Sequence, residues 1–414
     1  MVMAVDQQRA DELSIEAGRV FSPSAPIDER ALFAGRRKEI RQVIDAVNQK
    51  GRHAIIYGDR GVGKTSLANV ITAFLPSRAP VFSRRVNCDT GDSFSSLWEK
   101  VFSEVQSQQV SVVGGFQAPS QRPRADATDE VISPETVRRQ LTLWSRESLP
   151  ILIIDEFDRM DDRYRTIFAD TIKTLSDHAV PATIILVGVA DSVDQLIAEH
   201  ESIQRALEEV KMPRMSSDEI KEVVNKGLAH LEMEIDPDAL ARITLLTQGL
   251  PHYAHLLGLH ASRAALDSLS LRITMGTLEA AISRALEGAQ QTIRSAYQLA
   301  TISPRKDNLF ADVLLSCALA KTDDLGAFAA QDVRGPMQAI TGKQYDIPNY
   351  AQHLSEFSDE KRGRILKKFG AKKRFRYRFT NPLMQPFVIM RGFAEGRLTE
   401  KVLEALAQPD GMLF

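Results

Sequence analysis

The chain has 414 residues, too many for one ordinary hydrophobic core, so we expect two or three domains. Its 43% apolar and 26% charged residues are typical of globular proteins and argue against a disordered chain. The net charge of −2 is uneven, because residues 301–414 carry a net +5 and the remainder −7, which hints at an anionic partner for the C-terminal part.

Three features of the sequence bear on its location. No apolar run approaches the roughly 18 residues that a membrane span needs. The first twenty residues are mostly polar and do not form a signal peptide. The two cysteines, Cys88 and Cys317, have neither zinc-site nor disulfide spacing. We therefore expect a cytoplasmic protein with no membrane partner.

The pattern of residues predicts four segments. Residues 1–30 are a polar N-terminal lead segment, and residues 31–212 alternate helices with apolar strands. Within the latter, residues 107–134 are rich in Gly, Pro and Ser and are expected to be a mobile inserted loop. Residues 213–300 form a helical lid, and residues 301–414 a further domain with a basic strand.

The second segment predicts an α/β fold. Helical patterns separate four strand candidates, which read "HAIIYG", "PVFSRRVNCD", "PILIIDEFD" and "ATIILVGVA". Alternation of this kind favours a parallel sheet covered by helices on both faces.

The third segment predicts helices alone. Ser216 and Glu219 fit a capping box at the start of the first helix. Pro237 and Pro251 stand where the next two helices begin, and residues 277–300 read as one long fourth helix.

The most informative motif is "YGDRGVGKTS", which matches G-x-x-x-x-G-K-[ST] between a strand and a helix. Its glycines let backbone N–H groups point at phosphate oxygens, and the following helix adds its positive end. Lys64 is expected to reach the β- and γ-phosphates and Thr65 to bind Mg²⁺. The alternative is a glycine-rich turn without a ligand. The predicted phosphate-binding residues are Gly58, Asp59, Arg60, Gly61, Val62, Gly63, Lys64, Thr65 and Ser66.

A second motif, "ILIIDEFD", ends an apolar strand with two carboxylates. Asp155 is expected to hold Mg²⁺, because open α/β sheets place ligand-binding groups at the carboxyl ends of their strands. Glu156 is the candidate general base for an attacking water. The alternative is a pair of residues that caps a helix.

In these motifs, and in "LFAGRRKEI", "ILVGVADSVDQL" and "GLPHYAHLLG", the chain resembles the AAA+ ATPases, specifically the origin-recognition/initiator clade and the neighbouring STAND ATPases. The resemblance covers roughly residues 30–290. It implies a P-loop NTPase base, an all-α lid and a nucleotide site at their seam that a neighbouring subunit completes.

The resemblance also implies a polar residue that orients the attacking water, at the end of the strand "ATIILVGVA". Asp191 and Ser192 stand there, where similar proteins usually have Asn. An aspartate can hydrogen-bond water but repels the γ-phosphate. Asp191 is therefore a catalytic candidate, and a helix N-cap at Asp191 or Ser192 is the alternative.

In similar ATPases an arginine on the helix after that strand projects into the neighbouring subunit's site. Arg205 is the candidate here, because a guanidinium neutralises charge on the transferring phosphate. Arg214 is the reserve candidate. A surface arginine paired with Glu201 or Glu208 is the alternative.

Relatives with an initiator-like pattern start the third lid helix with an arginine, whereas this chain has Pro251 followed by His252. The change looks like the G-x-P element of STAND ATPases, and it implies a lid contact to the nucleotide from both residues. His252 would bind a phosphate best when protonated. A metal site with His255 and a solvated helix face remain alternatives.

The C-terminal segment carries ten basic residues and no acidic ones from Lys361 to Arg378. In "RFRYRFT" the arginines alternate with aromatic residues, so the two sets lie on opposite strand faces. Helices followed by a basic hairpin resemble a winged-helix domain, which implies DNA backbone contact or, alternatively, contact with protein or nucleotide. The predicted DNA contacts are Lys367, Lys368, Lys372, Lys373, Arg374, Arg376 and Arg378.

These features predict a Mg²⁺-dependent ATPase that binds ATP and ADP and forms a homo-oligomer with nucleotide. The first hypothesis is a DNA-associated switch in initiation, transposition or mobile-element control. The alternative is a STAND-like regulator in phage defence or signalling that activates a separate effector protein. A chaperone-like loader is a third and weaker hypothesis.

Overall fold

The computed structural model describes residues 5–27, 30–75, 81–109, 132–145, 148–197, 203–305, 308–323, 326–371 and 374–407. Most of the mobile loop expected at residues 107–134 lies outside these ranges. No helix in the described ranges is both long and apolar enough to cross a membrane.

The described elements are sixteen α-helices and ten strands, numbered here in chain order. The helices are α1 (Gln7–Val20), α2 (Arg37–Val47), α3 (Lys64–Val70), α4 (Phe94–Gln109), α5 (Pro134–Trp144), α6 (Asp162–Asp177), α7 (Ser217–His230), α8 (Pro237–Thr247), α9 (Pro251–Asp267), α10 (Met275–Glu287), α11 (Gln291–Thr301), α12 (Phe310–Leu319), α13 (Arg334–Thr341), α14 (Ile347–Phe357), α15 (Met384–Ala394) and α16 (Glu400–Ala407). The strands are β1 (His53–Gly58), β2 (Val81–Asn87), β3 (Leu149–Asp155), β4 (Thr183–Val189), β5 (Leu207–Met212), β6 (Glu234–Ile235), β7 (Arg272–Ile273), β8 (Phe328–Ala329), β9 (Leu366–Phe369) and β10 (Arg376–Phe379).

The chain divides into two compact units. The α/β unit comprises Pro26–Asp59 and Lys64–Met212. The helical unit comprises Met1–Ala25, Arg60–Gly63 and Pro213–Phe414. The tip of the P-loop therefore packs with the second unit, and the residues on both sides of it pack with the first.

The α/β unit is built on a five-stranded sheet in the order β2-β3-β4-β1-β5, and all four neighbouring pairs are parallel. Every residue of β1 is buried, as its continuous apolar sequence predicts. The fold class predicted from the alternating pattern is confirmed. The edge strand β5 was not predicted, because the two glutamates and the lysine of "LEEVKM" hide its apolar residues.

One face of this sheet packs on a cluster of aromatic side chains. Trp98 of α4 stacks on Phe168 of α6 with ring centroids 6.4 Å apart, and Phe157 meets Phe168 edge-on at 5.0 Å. All three side chains are fully buried. Because Phe157 directly follows the Asp-Glu pair, this core fixes the turn that carries the two carboxylates.

The middle part of the helical unit matches its predicted helix starts. Ser216 and Glu219 form the capping box, and Pro237 and Pro251 occupy first-turn positions of α8 and α9. The single long helix predicted over residues 277–300 was wrong. The structure has two helices there, because α10 ends at its C-cap Gly288 and α11 begins at Gln291.

The lead segment expected at residues 1–30 contains helix α1, which the sequence reading did not predict. Asp6 caps it by accepting a hydrogen bond from the Arg9 N–H. Its buried face packs on α7 and α9 in the helical unit. The buried residues of that face are Ala10, Leu13, Ala17 and Val20.

The last part of the helical unit contains an antiparallel three-stranded sheet in the order β8-β10-β9, together with α12 to α16. The predicted alternation along β10 is confirmed. Tyr377 and Phe379 are buried, whereas Arg376 and Arg378 are half-buried. Tyr377 stacks on Phe328 of β8, with ring centroids 6.0 Å apart.

Candidate nucleotide site

The first part of the P-loop follows directly from the buried strand β1. Gly58 has a φ of +150°, and a Cβ there would lie 2.4 Å from the Met212 carbonyl oxygen at the end of β5. Only glycine fits this approach of two backbones. After the loop tip, α3 begins at Lys64, so its first N–H groups face the loop.

Lys64 is buried, and its ammonium is held by the loop itself. Its Nζ donates hydrogen bonds to the carbonyl oxygens of Gly58 at 2.9 Å and Asp59 at 2.7 Å. A buried ammonium needs such acceptors, and phosphate oxygens offer stronger ones because they are charged. The lysine therefore lies where a phosphate of a bound nucleotide can take over from the two carbonyls.

The tip of the P-loop belongs to the helical unit. Gly61 has a φ of +83°, and a Cβ there would lie 3.0 Å from Leu383 Cδ2 and 3.9 Å from His252 Cβ. A Cβ at Gly63 would lie 3.7 Å from Pro251 Cγ. The structure thus places Pro251 and His252 next to the tip.

The second motif lies at the same edge of the α/β sheet, because β3 and β1 flank β4 and all three run parallel. Asp155 is buried at the end of β3, and its Oδ1 accepts the Glu156 N–H at 2.8 Å. Glu156 takes the left-handed conformation, with φ +55°, and its carboxylate is exposed. A non-glycine residue in this region is unusual, and such outliers are concentrated at functional sites.

The sequence reading missed a partner of Glu156. Arg159 Nη1 lies 2.7 Å from Glu156 Oε2 and 3.9 Å from an oxygen of Asp89. The turn between them is fixed, because Asp158 Oδ1 accepts the Val189 N–H at 2.8 Å. The three-residue spacing of Glu156 and Arg159 was the available signal. Glu156 must exchange this partner for water to act as a base.

Asp191 and Ser192, the candidates for the residue that orients the attacking water, lie in a bend just after β4. The Asp191 N–H donates to Gln195 Oε1 at 3.0 Å. Ser192 precedes a short 3₁₀ turn, Val193–Gln195, but its hydroxyl does not cap that turn. The alternative role of Ser192 as an N-cap therefore lacks its hydrogen bond.

The two candidate arginines differ in their surroundings. Arg205 is exposed and lies in a turn before β5, rather than on a helix as the sequence suggested. Of its two proposed intramolecular partners, Glu208 pairs with Arg52 at 2.8 Å, and Glu201 lies outside the described residues. Arg214 is half-buried, and its Nη1 donates to Gln385 Oε1 at 2.6 Å and to the Gln248 carbonyl at 3.3 Å. Of the two candidates, Arg205 therefore has the exposed side chain, whereas Arg214 is engaged within its own chain.

His252 is hydrogen-bonded on one side only. Its Nδ1 lies 2.9 Å from the Pro23 carbonyl oxygen, so Nδ1 must carry the proton, because a carbonyl only accepts. In the neutral ring Nε2 is then an acceptor and cannot donate to phosphate. Burial lowers the pKa of His252 and the charge of Arg60 lowers it further, while the bond to Pro23 opposes both. A phosphate contact from His252 therefore requires that Nε2 take up a second proton when the ligand binds.

The other histidines of this helix do not form a solvated face or a metal site. His255 is buried against the edge of the Phe21 ring, with centroids 6.0 Å apart. Burial lowers its pKa to about 4. Across the described residues, no three His, Cys, Asp or Glu side chains come together as a metal-binding group.

The residues expected to hold Mg²⁺ are suited to it in kind. Thr65 follows Lys64 at the start of α3, and Asp155 offers a buried carboxylate with one lone pair engaged by the Glu156 N–H. Hydroxyl and carboxylate oxygens are the ligands that Mg²⁺ prefers, with water and phosphate oxygens completing the shell. The residues present therefore fit the ion.

The basic residues of the C-terminal sheet are only partly exposed. Lys367 and Lys368 are exposed on β9, and Arg374 is exposed before β10. Arg376 is engaged inside the chain, because its Nη2 lies 3.0 Å from Asp323 Oδ2 and 2.8 Å from the Ala327 carbonyl. Lys372 and Lys373 lie outside the described residues.

A parallel sheet with a P-loop after β1 and an Asp-Glu pair after β3 defines an AAA+-type P-loop ATPase. The chain belongs to the family described as Novel STAND NTPase 1, whose model matches residues 26–326. No curated protein matches the chain.

Among solved structures, the Walker-type ATPase PABY2304 of Pyrococcus abyssi is similar in fold. It is 17% identical with a TM-score of 0.53, and the match covers 89% of this chain and 99% of that one. Cdc6p from Pyrobaculum aerophilum is 12% identical with a TM-score of 0.48, covering 92% and 99%. ORC1 of Aeropyrum pernix, solved in complex with DNA, is 15% identical with a TM-score of 0.45, covering 92% and 97%.

Proposed function

We propose that the protein is a Mg²⁺-dependent, ATP-hydrolysing switch that assembles with nucleotide. The observation that carries the proposal is the placement of Lys64 after β1 and of Asp155 with Glu156 at the end of β3, two strands that flank β4 in one parallel sheet. The buried lysine offers positive charge for phosphates, and the exposed glutamate offers a base that water can reach.

The reaction is in-line attack of water on the γ-phosphate of ATP. Lys64 leaves the carbonyls of Gly58 and Asp59 and neutralises charge on the transferring group. Glu156 leaves Arg159 and accepts the proton of the attacking water at its carboxylate. Thr65 and Asp155 would hold Mg²⁺, which when bound would further neutralise the phosphate oxygens.

Two variants test this assignment. Lys64→Ala should weaken binding of an ATP analogue, whereas Lys50→Ala, an exposed lysine in the same unit, should not. Glu156→Gln should bind the analogue normally and lower turnover by about 10²- to 10⁴-fold, the range for loss of a general base. Normal turnover by Glu156→Gln removes Glu156 from the mechanism.

The first candidate for what the switch acts on is DNA, contacted through a winged-helix-like C-terminal sheet. The exposed side chains of Lys367, Lys368 and Arg374 support it, because they can meet phosphates without breaking an ion pair described in the structure. Binding should weaken as salt rises, and replacing all three should reduce the salt slope by about 3, roughly 0.9 per phosphate contact. The matched control removes three exposed lysines elsewhere in the C-terminal part: Lys321, Lys343 and Lys401.

The second candidate is a regulator that activates a separate effector protein, in phage defence or signalling. Membership of the STAND family supports it, as does the engagement of Arg376 by Asp323, which removes one predicted DNA contact. This candidate predicts slow turnover, retained nucleotide and no salt-sensitive DNA binding.

One experiment separates the candidates. The molecular mass is measured with ADP and with a non-hydrolysable ATP analogue, each with and without duplex DNA. Assembly that needs both the analogue and DNA supports the first candidate, and assembly with the analogue alone supports the second. A mass that neither ligand changes contradicts the proposed switch.

A further inference from the structure

The described residues 5–25 of the N-terminal segment belong to the helical unit and contact it at several points. At its start, the Val5 N–H donates to the Leu269 carbonyl at 3.1 Å. Along α1, Arg9 pairs with Glu232 at 3.5 Å, and Arg263 Nε donates to the Ser14 carbonyl at 3.4 Å. Four buried apolar side chains of α1 add to these contacts. The segment is therefore part of the packed lid.

The segment ends in an aromatic anchor. Phe21 is fully buried, and its ring lies against two helix glycines, Gly227 of α7 and Gly258 of α9. A Cβ at Gly227 would lie 2.4 Å from the ring, and one at Gly258 would lie 2.6 Å from it. Any larger residue at either position displaces the ring, so the two glycines form a cradle for Phe21.

Two residues beyond the anchor, the backbone reaches His252. The Pro23 carbonyl accepts the Nδ1 proton of His252 at 2.9 Å, and the ring edge of His255, one helical turn along α9, contacts Phe21. The anchor therefore fixes the position of the carbonyl, and the carbonyl fixes the tautomer of the ring that lies next to the P-loop tip.

We propose that Phe21, acting through the Pro23 carbonyl, is a positioning residue for His252. It holds Nδ1–H on that carbonyl, so that Nε2 is the nitrogen left to take up a second proton and donate to a phosphate at the P-loop tip. The effect on nucleotide binding rests on the proposed function and on the lid contact to the nucleotide that the family resemblance implies for His252. The effect on the tautomer does not.

The first test reads the tautomer directly. In ¹⁵N-histidine-labelled full-length protein, the two-bond proton–nitrogen spectrum distinguishes Nδ1–H from Nε2–H rings, and His252→Gln identifies the signal. The wild type should show Nδ1–H at His252 above the pKa of the ring. Phe21→Ala should shift the signal toward Nε2–H, whereas Ile15→Ala, an exposed residue on the same segment, should not. An unchanged signal in Phe21→Ala overturns the proposal.

The second test reads nucleotide affinity with a fluorescent ATP analogue. Phe21→Ala should weaken binding roughly three- to tenfold, the value of one hydrogen bond, and should have no further effect in a His252→Ala background. A full additional loss in that background means that Phe21 acts only through stability, and it overturns the positioning role. A third outcome is that Phe21→Ala changes the tautomer of His252 but His252→Ala leaves nucleotide affinity unchanged. Phe21 then still positions the ring, and the contact of His252 with the nucleotide is contradicted.

A third variant guards against simple unfolding. Gly258→Ala in a helix interior ordinarily stabilises, so a loss of Nδ1–H signal and affinity there reports the clash with Phe21. The double variant Gly258→Ala with Phe21→Leu replaces the clashing ring by a smaller side chain. It should regain most of the affinity lost by Gly258→Ala. Absence of any loss in Gly258→Ala contradicts the cradle.

Discussion

At the scale of single residues, buried imidazoles make the helical unit sensitive to acid. Burial, together with the nearby His252, lowers the pKa of His255 to about 4, from 6.5 in the unfolded chain. Between these values the unfolded chain binds more protons, so the free energy of unfolding falls as the pH falls. At pH 5.5 the loss is roughly 1 to 2 kcal/mol.

The check is the melting temperature at pH 7.5 and 5.5. His255→Leu should show a smaller drop than the wild type, and His178→Leu, an exposed histidine on the α/β unit, should match the wild type. Equal drops in all three proteins would mean that His255 is not buried as a neutral ring.

Single residues whose role follows from a local motif could be read from the sequence. Lys64, Asp155 and Glu156 were predicted because a strand, a turn and a helix lie in order around them. The partner of His252 could not be predicted, because Pro23 lies 229 positions away in the chain. Tertiary contacts of this separation leave no trace in a local pattern.

At the scale of elements, strand β10 has a buried aromatic face, whereas Arg374, just before the strand, is exposed. Tyr377 is buried and stacks on Phe328, so Tyr377→Ala should destabilise the helical unit by about 3 to 5 kcal/mol. Arg374→Ala should change stability by less than about 0.5 kcal/mol, because its side chain is exposed. Urea unfolding of the two variants measures both values, and a comparable loss in each would contradict the assigned faces.

Helices and strands could be predicted where few polar residues interrupt their apolar pattern. The buried strands β1, β3 and β4 were found for this reason. Helix α1 was missed although Asp6 and its apolar spacing signal it, because the polar residues of its outer face dominate the stretch. The break at Gly288 was missed although this glycine is a local stop signal and the C-cap of α10, because the apolar residues on both sides of it were assigned to one helical period.

At the scale of the whole molecule, the exposed Arg205 raises the question of whether one subunit completes the site of another. Arg214 is held within its own chain by Gln385 and Gln248, so Arg205 is the candidate that we test for a contribution between subunits of the proposed assembly. An arginine supplied to a neighbour's site can raise phosphoryl transfer by 10³- to 10⁵-fold in known enzymes, so roughly this loss is expected of Arg205→Ala.

A mixing experiment decides whether Arg205 acts within or between subunits. Arg205→Ala subunits keep an intact Glu156, and Glu156→Gln subunits keep an intact Arg205, so each variant alone should be inactive. In a mixed assembly, the site of an Arg205→Ala subunit faces the arginine of a Glu156→Gln neighbour, and activity should return in proportion to such contacts. Arg163→Ala, an exposed arginine paired with Asp161 at 3.1 Å, serves as the control and should be active alone. If the mixture stays inactive under conditions in which the wild type assembles, Arg205 acts within its own subunit or not at all.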